Sequence, residues 1–319
     1  MAEKIILDRN LTIEAVRVTE AAAIAAAETM GRGDEKVADQ AAVDAMRTAL
    51  NRLQMAGTVV IGEGERDEAP MLFIGEEVGT GDGPKIDIAL DPLEGTTITA
   101  KGLPNSLAVL ALSEHGGLLN APDVYMDKIA AGPLVSVSAI DLDNTAEENI
   151  SNVAKALGKD PKDVVACILD RPRHGDLIAA VREAGARIVL IGDGDVAGVM
   201  ATAMPETGVD IYMGTGGAPE GVLAAAALRC IGGNIQGRLL FRNDDERGRA
   251  AKVGVEDLNR KYAITDLASG DVIFAATGVT DGNMLQGVRR TAKYLSTESV
   301  AMRARTGTVR WIRMQHPIK

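Results

Sequence analysis

Between residues 164 and 230 the chain alternates short apolar runs with short helical ones, and that alternation admits few folds. Residues 164–169, 187–191 and 209–213 have the length and β-branched content of buried strands. Residues 175–184, 195–203 and 219–230 read as helices between and after them. Strands joined by helices of this size run parallel, because each helix carries the chain back to the same end of the sheet. Gly185 and Gly208 stand where helix-to-strand links need a tight turn. The loops that follow the strands are RPRH (171–174), GDGD (192–195) and GTGGAPEG (214–221). In an open α/β sheet the carboxyl ends of the strands are where ligands bind.

The amino-terminal part reads differently. Residues 13–30 form an Ala-rich helix stopped by Gly31. A second helix over 37–55 repeats Ala38, Ala42, Ala45, Met46, Ala49 and Leu53 at spacings of three and four. Strands are expected at 58–61 and 86–90, with 107–112 continuing as a meander. Residues 145–163 read as a polar helix and a connection. Aromatic residues make up only 3% of the chain and glycines number 35, so the core is aliphatic and its elements approach closely. That excludes an aromatic stacking platform. A net charge of −11 argues against binding the phosphate backbone of nucleic acid. Cys167 and Cys230 read as buried, reduced thiols. No apolar run is long enough for a membrane span, and the first residues lack a secretory pattern, so a cytoplasmic protein with no membrane partner is expected.

The acids concentrate at strand ends. Glu63, Glu65, Asp67 and Glu68 follow one strand, Asp91 and Glu94 another, Asp193 and Asp195 a third, and Glu220 opens a helix. Carboxylates so gathered repel one another unless a cation lies among them, and an all-oxygen donor set suits Mg²⁺ or Mn²⁺. Three scattered histidines argue against zinc. Arg171 and Arg173, on either side of Pro172, are placed to fork around a phosphate. There is no G-x-G-x-x-G fingerprint, Walker loop or nucleophile elbow. Metal-holding acids, phosphate-holding arginines and no nucleotide motif point to a metal-dependent phosphatase of a small substrate.

GEGERDEAPM (62–71), DPLEGT (91–96), NAPDVYM (120–126), RPRH, DGD (193–195) and GGAPEGV (216–222) resemble, in order and spacing, the class II fructose-1,6-bisphosphatases of gluconeogenesis. DPLEGT alone marks the wider lithium-sensitive sugar phosphatase superfamily. The resemblance implies an α/β fold, a layered αβαβα sandwich. Its N-terminal α+β half, residues 1–165, would bind metal and its C-terminal α/β half, 166–319, substrate, with the site in the cleft between. It implies Mn²⁺ or Mg²⁺ on Asp39, Glu63, Asp91, Glu94 and Glu220, and an attacking water activated by Asp67 and Thr96. A sugar bisphosphate would be contacted by Glu94, Gly95, Thr96, Tyr125, Arg171, Pro172, Arg173, Asp193, Gly194, Asp195 and Gly217. It further implies a homo-oligomer, a dimer or tetramer. Arg171 stands where some relatives carry Lys, which leaves sedoheptulose 1,7-bisphosphate open as a second substrate. An inositol monophosphatase and a catalytically silent sugar-phosphate sensor are the rival readings.

Overall fold

The computed structural model describes residue 7, residues 10–64 and residues 71–318. It divides the chain into two units, residues 1–119 with 269–319, and residues 120–268. The first unit begins with helices α1 (Leu11–Ala27) and α2 (Glu35–Leu50). Strands β1 (Ala56–Ile61), β2 (Glu77–Val78) and β3 (Lys85–Glu94) follow, then the short helix α3 (Thr96–Ala100) and strand β4 (Leu107–Glu114). The Asp34 side chain caps α2 by accepting the Val37 N–H at 3.1 Å. Ala22, Ala23 and Ala26 of α1 and Ala38, Ala42 and Met46 of α2 are buried. Such small side chains let the two helices pack on each other and α1 on the sheet. The second helix ends at Leu50, five residues before the expected 55. The Asn51 carboxamide oxygen accepts the Gly79 N–H, and the Leu53 N–H returns to the Leu50 carbonyl. Turns therefore replace the last helical residues and lead into β1.

The second unit contains β5 (Tyr125–Ala131), α4 (Ala146–Leu157), β6 (Val165–Leu169), α5 (Gly175–Glu183), β7 (Arg187–Ile191), α6 (Asp195–Ala201), β8 (Ile211–Gly217) and α7 (Ala218–Ile231). It ends with β9 (Asn234–Leu240), α8 (Asp244–Lys252), β10 (Lys261–Ala263) and α9 (Ile264–Leu267). Its sheet runs β10-β9-β5-β8-β6-β7, and β6 pairs in parallel with both β7 and β8, as the alternation requires. Strands β5 and β9, which the sequence pattern did not reveal, pair antiparallel beside them. Ile150 and Val153 of α4 and Val181 of α5 join Ala166, Ile168 and Ile211 in one core. Helices α6 and α7 pack against each other and against the same sheet. Thr145 and Glu148 close a reciprocal capping box at the start of α4.

The chain then returns to the first sheet with β11 (Val272–Gly278), β12 (Arg289–Arg290), β13 (Tyr294–Arg303) and β14 (Thr308–Pro317). That sheet runs β12-β13-β11-β4-β3-β1-β2, with β14 on β13, and among the described residues only its β1–β3 pairing is parallel. The single division expected near residue 165 is thus replaced by two, at 119/120 and 268/269. The physical reason is β11. It is buried throughout and fills the place between β4 and β13, so the carboxyl-terminal strands belong to the first sheet. The class is α/β, a sandwich of helical layers on mixed sheets. Cys167 and Cys230 are buried and unbridged, and burial, with Asp195 nearby, pushes the Cys167 thiol up to about 12. Among the described residues no helix is long and apolar enough to cross a membrane.

Candidate functional site

In the first unit the chemistry gathers where β3 turns into α3. Pro92 has no N–H for the sheet, and the β3–β4 register slips there: Asp91 faces Val109 and Glu94 faces Leu107. Two residues therefore oppose one, a bulge that tolerates proline in an interior strand. The Asp91 Oδ1 accepts the Leu93 N–H at 3.0 Å across the bulge. Glu94 ends the strand buried, and Gly95 turns the chain at φ +89°. A side chain on Gly95 would be strained by that φ, and its Cβ would meet Ile98 Cδ1 at 2.7 Å. The turn is pinned beneath: the Thr99 hydroxyl donates to Ser106 Oγ at 2.6 Å, and the Ser106 hydroxyl to the Glu94 carbonyl at 2.9 Å. Thr96, half-buried, is the first residue of α3. Glu63 follows β1, the parallel neighbour of β3, and its N–H bonds the Leu72 carbonyl at 3.0 Å. Asp39 lies on α2, which packs against β3 and α3, and burial raises its carboxyl above the usual range. Asp67 lies outside the described residues.

In the second unit the loops after β6, β7 and β8 meet at the carboxyl end of the parallel strands. Residues 172–174 form a single 3₁₀ turn. Arg171 reaches across to the next loop, donating to the Gly192 carbonyl at 2.5 Å and pairing with Asp193 at 3.6 Å. Arg173 donates twice to the Thr215 carbonyl, at 3.1 and 2.7 Å. His174, which the sequence reading left without a role, is buried and braces the same peptide. Its Nε2 accepts the Thr215 N–H at 2.8 Å, so Nδ1 carries the proton donated to the Leu169 carbonyl at 2.7 Å. Tyr125 pairs in register with Gly217. The Arg173 guanidinium stands 4.9 Å from the Tyr125 ring centre, and Arg242, absent from the expected set, 4.6 Å from it. Gly194 turns at φ +83° to open α6 with Asp195, and Glu220 lies in the first turn of α7. Acids at those two positions face the positive ends of their helices.

Glu220 is the most informative side chain. Its Oε2 is buried and has no hydrogen-bond partner. Burial, reinforced by the negative charge of Asp195 and partly offset by Lys128, raises its pKa to about 7. Gly217 has φ −67° and ψ 147°, angles open to any residue, so its lack of a side chain has another cause. A Cβ there would lie 1.9 Å from Glu220 Oε2. We expect Gly217→Ala to displace that flexible carboxylate, lowering activity at least tenfold while the melting temperature stays near that of the wild type. Phosphate release together with a thermal melt tests this, and a fully active variant would show that Glu220 is not needed where it stands.

The structure thus brings Asp91, Glu94, Gly95 and Thr96 into one turn, with Glu63 and Asp39 on adjoining elements. It brings Tyr125, Arg171–Arg173, Asp193–Asp195, Gly217 and Glu220 to one end of the second sheet. Among the described residues no three Asp, Glu, His or Cys side chains converge closely enough to hold an ion as they stand. A buried carboxylate oxygen without a donor, at Glu220, fits a hard cation as its partner.

The sequence model of the bacterial, glpX-encoded fructose-1,6-bisphosphatases matches residues 9–316 of this chain. The chain belongs to that family. These fructose-1,6-bisphosphatases are metal-dependent phosphatases. The chain is 46% identical to Escherichia coli (strain K12) fructose-1,6-bisphosphatase 1 class 2, over 97% of this chain and 95% of the relative. It is 45% identical to D-fructose 1,6-bisphosphatase class 2/sedoheptulose 1,7-bisphosphatase of Synechococcus sp. (strain JA-3-3Ab), over 97% and 96% respectively. A second Synechococcus protein of that name, from strain JA-2-3B'a(2-13), matches at the same identity and coverage.

Proposed function

We propose that this chain hydrolyses the 1-phosphate of fructose 1,6-bisphosphate, giving fructose 6-phosphate and inorganic phosphate. Near-complete alignment with bisphosphatases supports the substrate class, and the donorless buried oxygen of Glu220 is the observation that carries the metal chemistry. Asp39, Glu63, Asp91 and Glu94 in the first unit, and Glu220 in the second, would serve as ligands for Mn²⁺ or Mg²⁺, which would polarise a phosphoryl group and lower the pKa of a bound water. Thr96, with Asp67 as its acid partner, would orient the attacking water in line with the phosphorus, so that no covalent phosphoenzyme is needed. Asp193 and Asp195 accept hydrogen bonds from sugar hydroxyls, while Tyr125, Gly194 and Gly217 shape the sugar's surroundings. Arg171 and Arg173 hold the far phosphate, turning remote binding energy into orientation of the reacting one. Pro172 between them stiffens the loop, and the backbone bonds to Gly192 and Thr215 fix its position.

The Synechococcus relatives named for both sugars favour a second reading, in which sedoheptulose 1,7-bisphosphate is turned over as well. Phosphate release from both bisphosphates and from inositol monophosphate, with Mn²⁺, with Mg²⁺ and with a chelator, tests the proposal. Metal-dependent release from the fructose substrate supports it, and comparable rates on both bisphosphates support the dual reading. A folded protein that binds the sugar without turnover is the sensor instead. We expect Arg173→Ala to raise KM about tenfold or more with a smaller change in kcat, and an effect on kcat alone would argue against a ground-state clamp. The dimer or tetramer implied by the resemblance is read by light scattering on the same preparation.

A further inference from the structure

Lys128 has no part in the scheme above, and packing alone would not place a lysine there. It sits in the middle of β5, with Gly214 of β8 and Gly237 of β9 as its register partners. On the same face of the strand, a Cβ at Gly221 of α7 would meet Met126 Sδ at 2.6 Å and Lys128 Cδ at 3.4 Å. The Lys128 side chain is fully enclosed. An unbranched apolar side chain would fill this space without withdrawing an ammonium from water. The ammonium instead donates to Asp195 Oδ2 and, at 2.9 Å, to the Gly217 carbonyl. These acceptors lie at two different junctions, the first residue of α6 and the last residue of β8. A Cβ at Gly216 would fall 2.0 Å from Asp195 Oδ2 and 2.9 Å from Lys128 Nζ, so the ion pair occupies the space that a side chain would take.

We infer that Lys128 is a positioning residue for the sugar: anchored on a central strand, it holds Asp195 by Oδ2 and leaves Oδ1 as the acceptor for a substrate hydroxyl. This rests on the sugar-contact role proposed for Asp195. A strand paired on both edges sets an atom more reproducibly than a loop does, and a hydrogen-bonded ammonium fixes a carboxylate in both distance and direction. The Gly217 carbonyl keeps the ammonium itself from following Asp195 toward solvent. A lysine present only for packing would influence how much protein folds, not how tightly folded enzyme takes up sugar.

The test is steady-state kinetics on fructose 1,6-bisphosphate at saturating Mn²⁺, with a thermal melt of each variant. Lys128→Met is expected to raise KM at least tenfold with kcat within about threefold of wild type. Asp195→Asn is expected to raise KM similarly, and Lys128→Met/Asp195→Asn to raise it no further, because one residue acts through the other. An unchanged KM in active Lys128→Met overturns the inference. Should Lys128→Met fail to fold, the comparison of Asp195→Asn with the double variant decides, since neither leaves an Asp195 charge buried without Lys128. Equal KM values there support the inference, and a multiplied rise overturns it. Wild-type enzyme that releases no phosphate with any metal overturns the underlying reading and this inference together, an outcome distinct from active wild type with an indifferent Lys128→Met.

Discussion

Glu220→Gln is expected to abolish phosphate release, by at least a hundredfold, while making the metal-free protein more stable at pH 8. Both effects follow from one carboxylate. Its folded pKa of about 7 lies above the ordinary 4.5. Between those values the unfolded chain binds fewer protons than the folded one, so this group's contribution to stability falls as pH rises from about 4.5 through 7. Above pH 7 the folded protein carries a buried negative charge at a cost on the order of 3 kcal/mol. Glutamine keeps the shape and removes the charge, so its variant lacks that decline. Melts in chelator from pH 5 to 8 should show the wild type losing ground on the variant as pH rises, and added Mn²⁺ should restore the wild type alone. A Glu220→Gln protein that is less stable at pH 8 than wild type would make this carboxylate a structural anchor and remove it from the proposed metal set.

Thr96→Ala is expected to lower kcat about 10²- to 10³-fold while fructose 1,6-bisphosphate still binds within a few-fold of wild type. The separation is possible because the turn does not depend on Thr96. Gly95 sets the chain direction, and the Thr99–Ser106–Glu94 hydrogen bonds hold strand and helix together. Thr96→Ser keeps the hydroxyl and should retain most of the activity. Calorimetric binding beside single-turnover phosphate release reads both quantities, and an alanine variant with near-normal kcat would end the role proposed for Thr96.

Much of this arrangement was legible in the letters, for identifiable reasons. The parallel order of β6, β7 and β8 was written in the spacing of apolar runs, and their following loops carried the arginines and acids that the structure gathers. DPLEGT announced its turn through Pro92 and Gly95, whose backbone demands are local. Pairings across great sequence distance were not legible. Residues 272–278 are an apolar run like any other, and nothing nearby says that β11 pairs with β4, more than 150 residues earlier. The ten-residue edge strand β14 is exposed along much of its length and lacks the alternation that marks a half-buried strand. In the site, Asp39 on a helix flank looks like an ordinary first-turn acid. Lys128 had one faint signal, a cation beside Asp127 inside the otherwise uncharged run from 124 to 131, most of which forms β5. His174 and Arg242 acquire meaning only from Thr215 and Tyr125, which lie about 40 and 117 residues away.

The place of β11 between β4 and β13 also orders the birth of the molecule. As the chain leaves the ribosome, residues 120–268 emerge with every strand of their own sheet, whereas the earlier segment still lacks four of the strands it will pair with. The later-starting unit is therefore the first that can finish folding. Until β11 arrives, the edge of β4 is open, a strand of almost wholly buried residues with nothing hydrogen-bonded to one side. The enzyme's most aggregation-prone moment falls late in synthesis, and the last fifty residues are what bring it to a close.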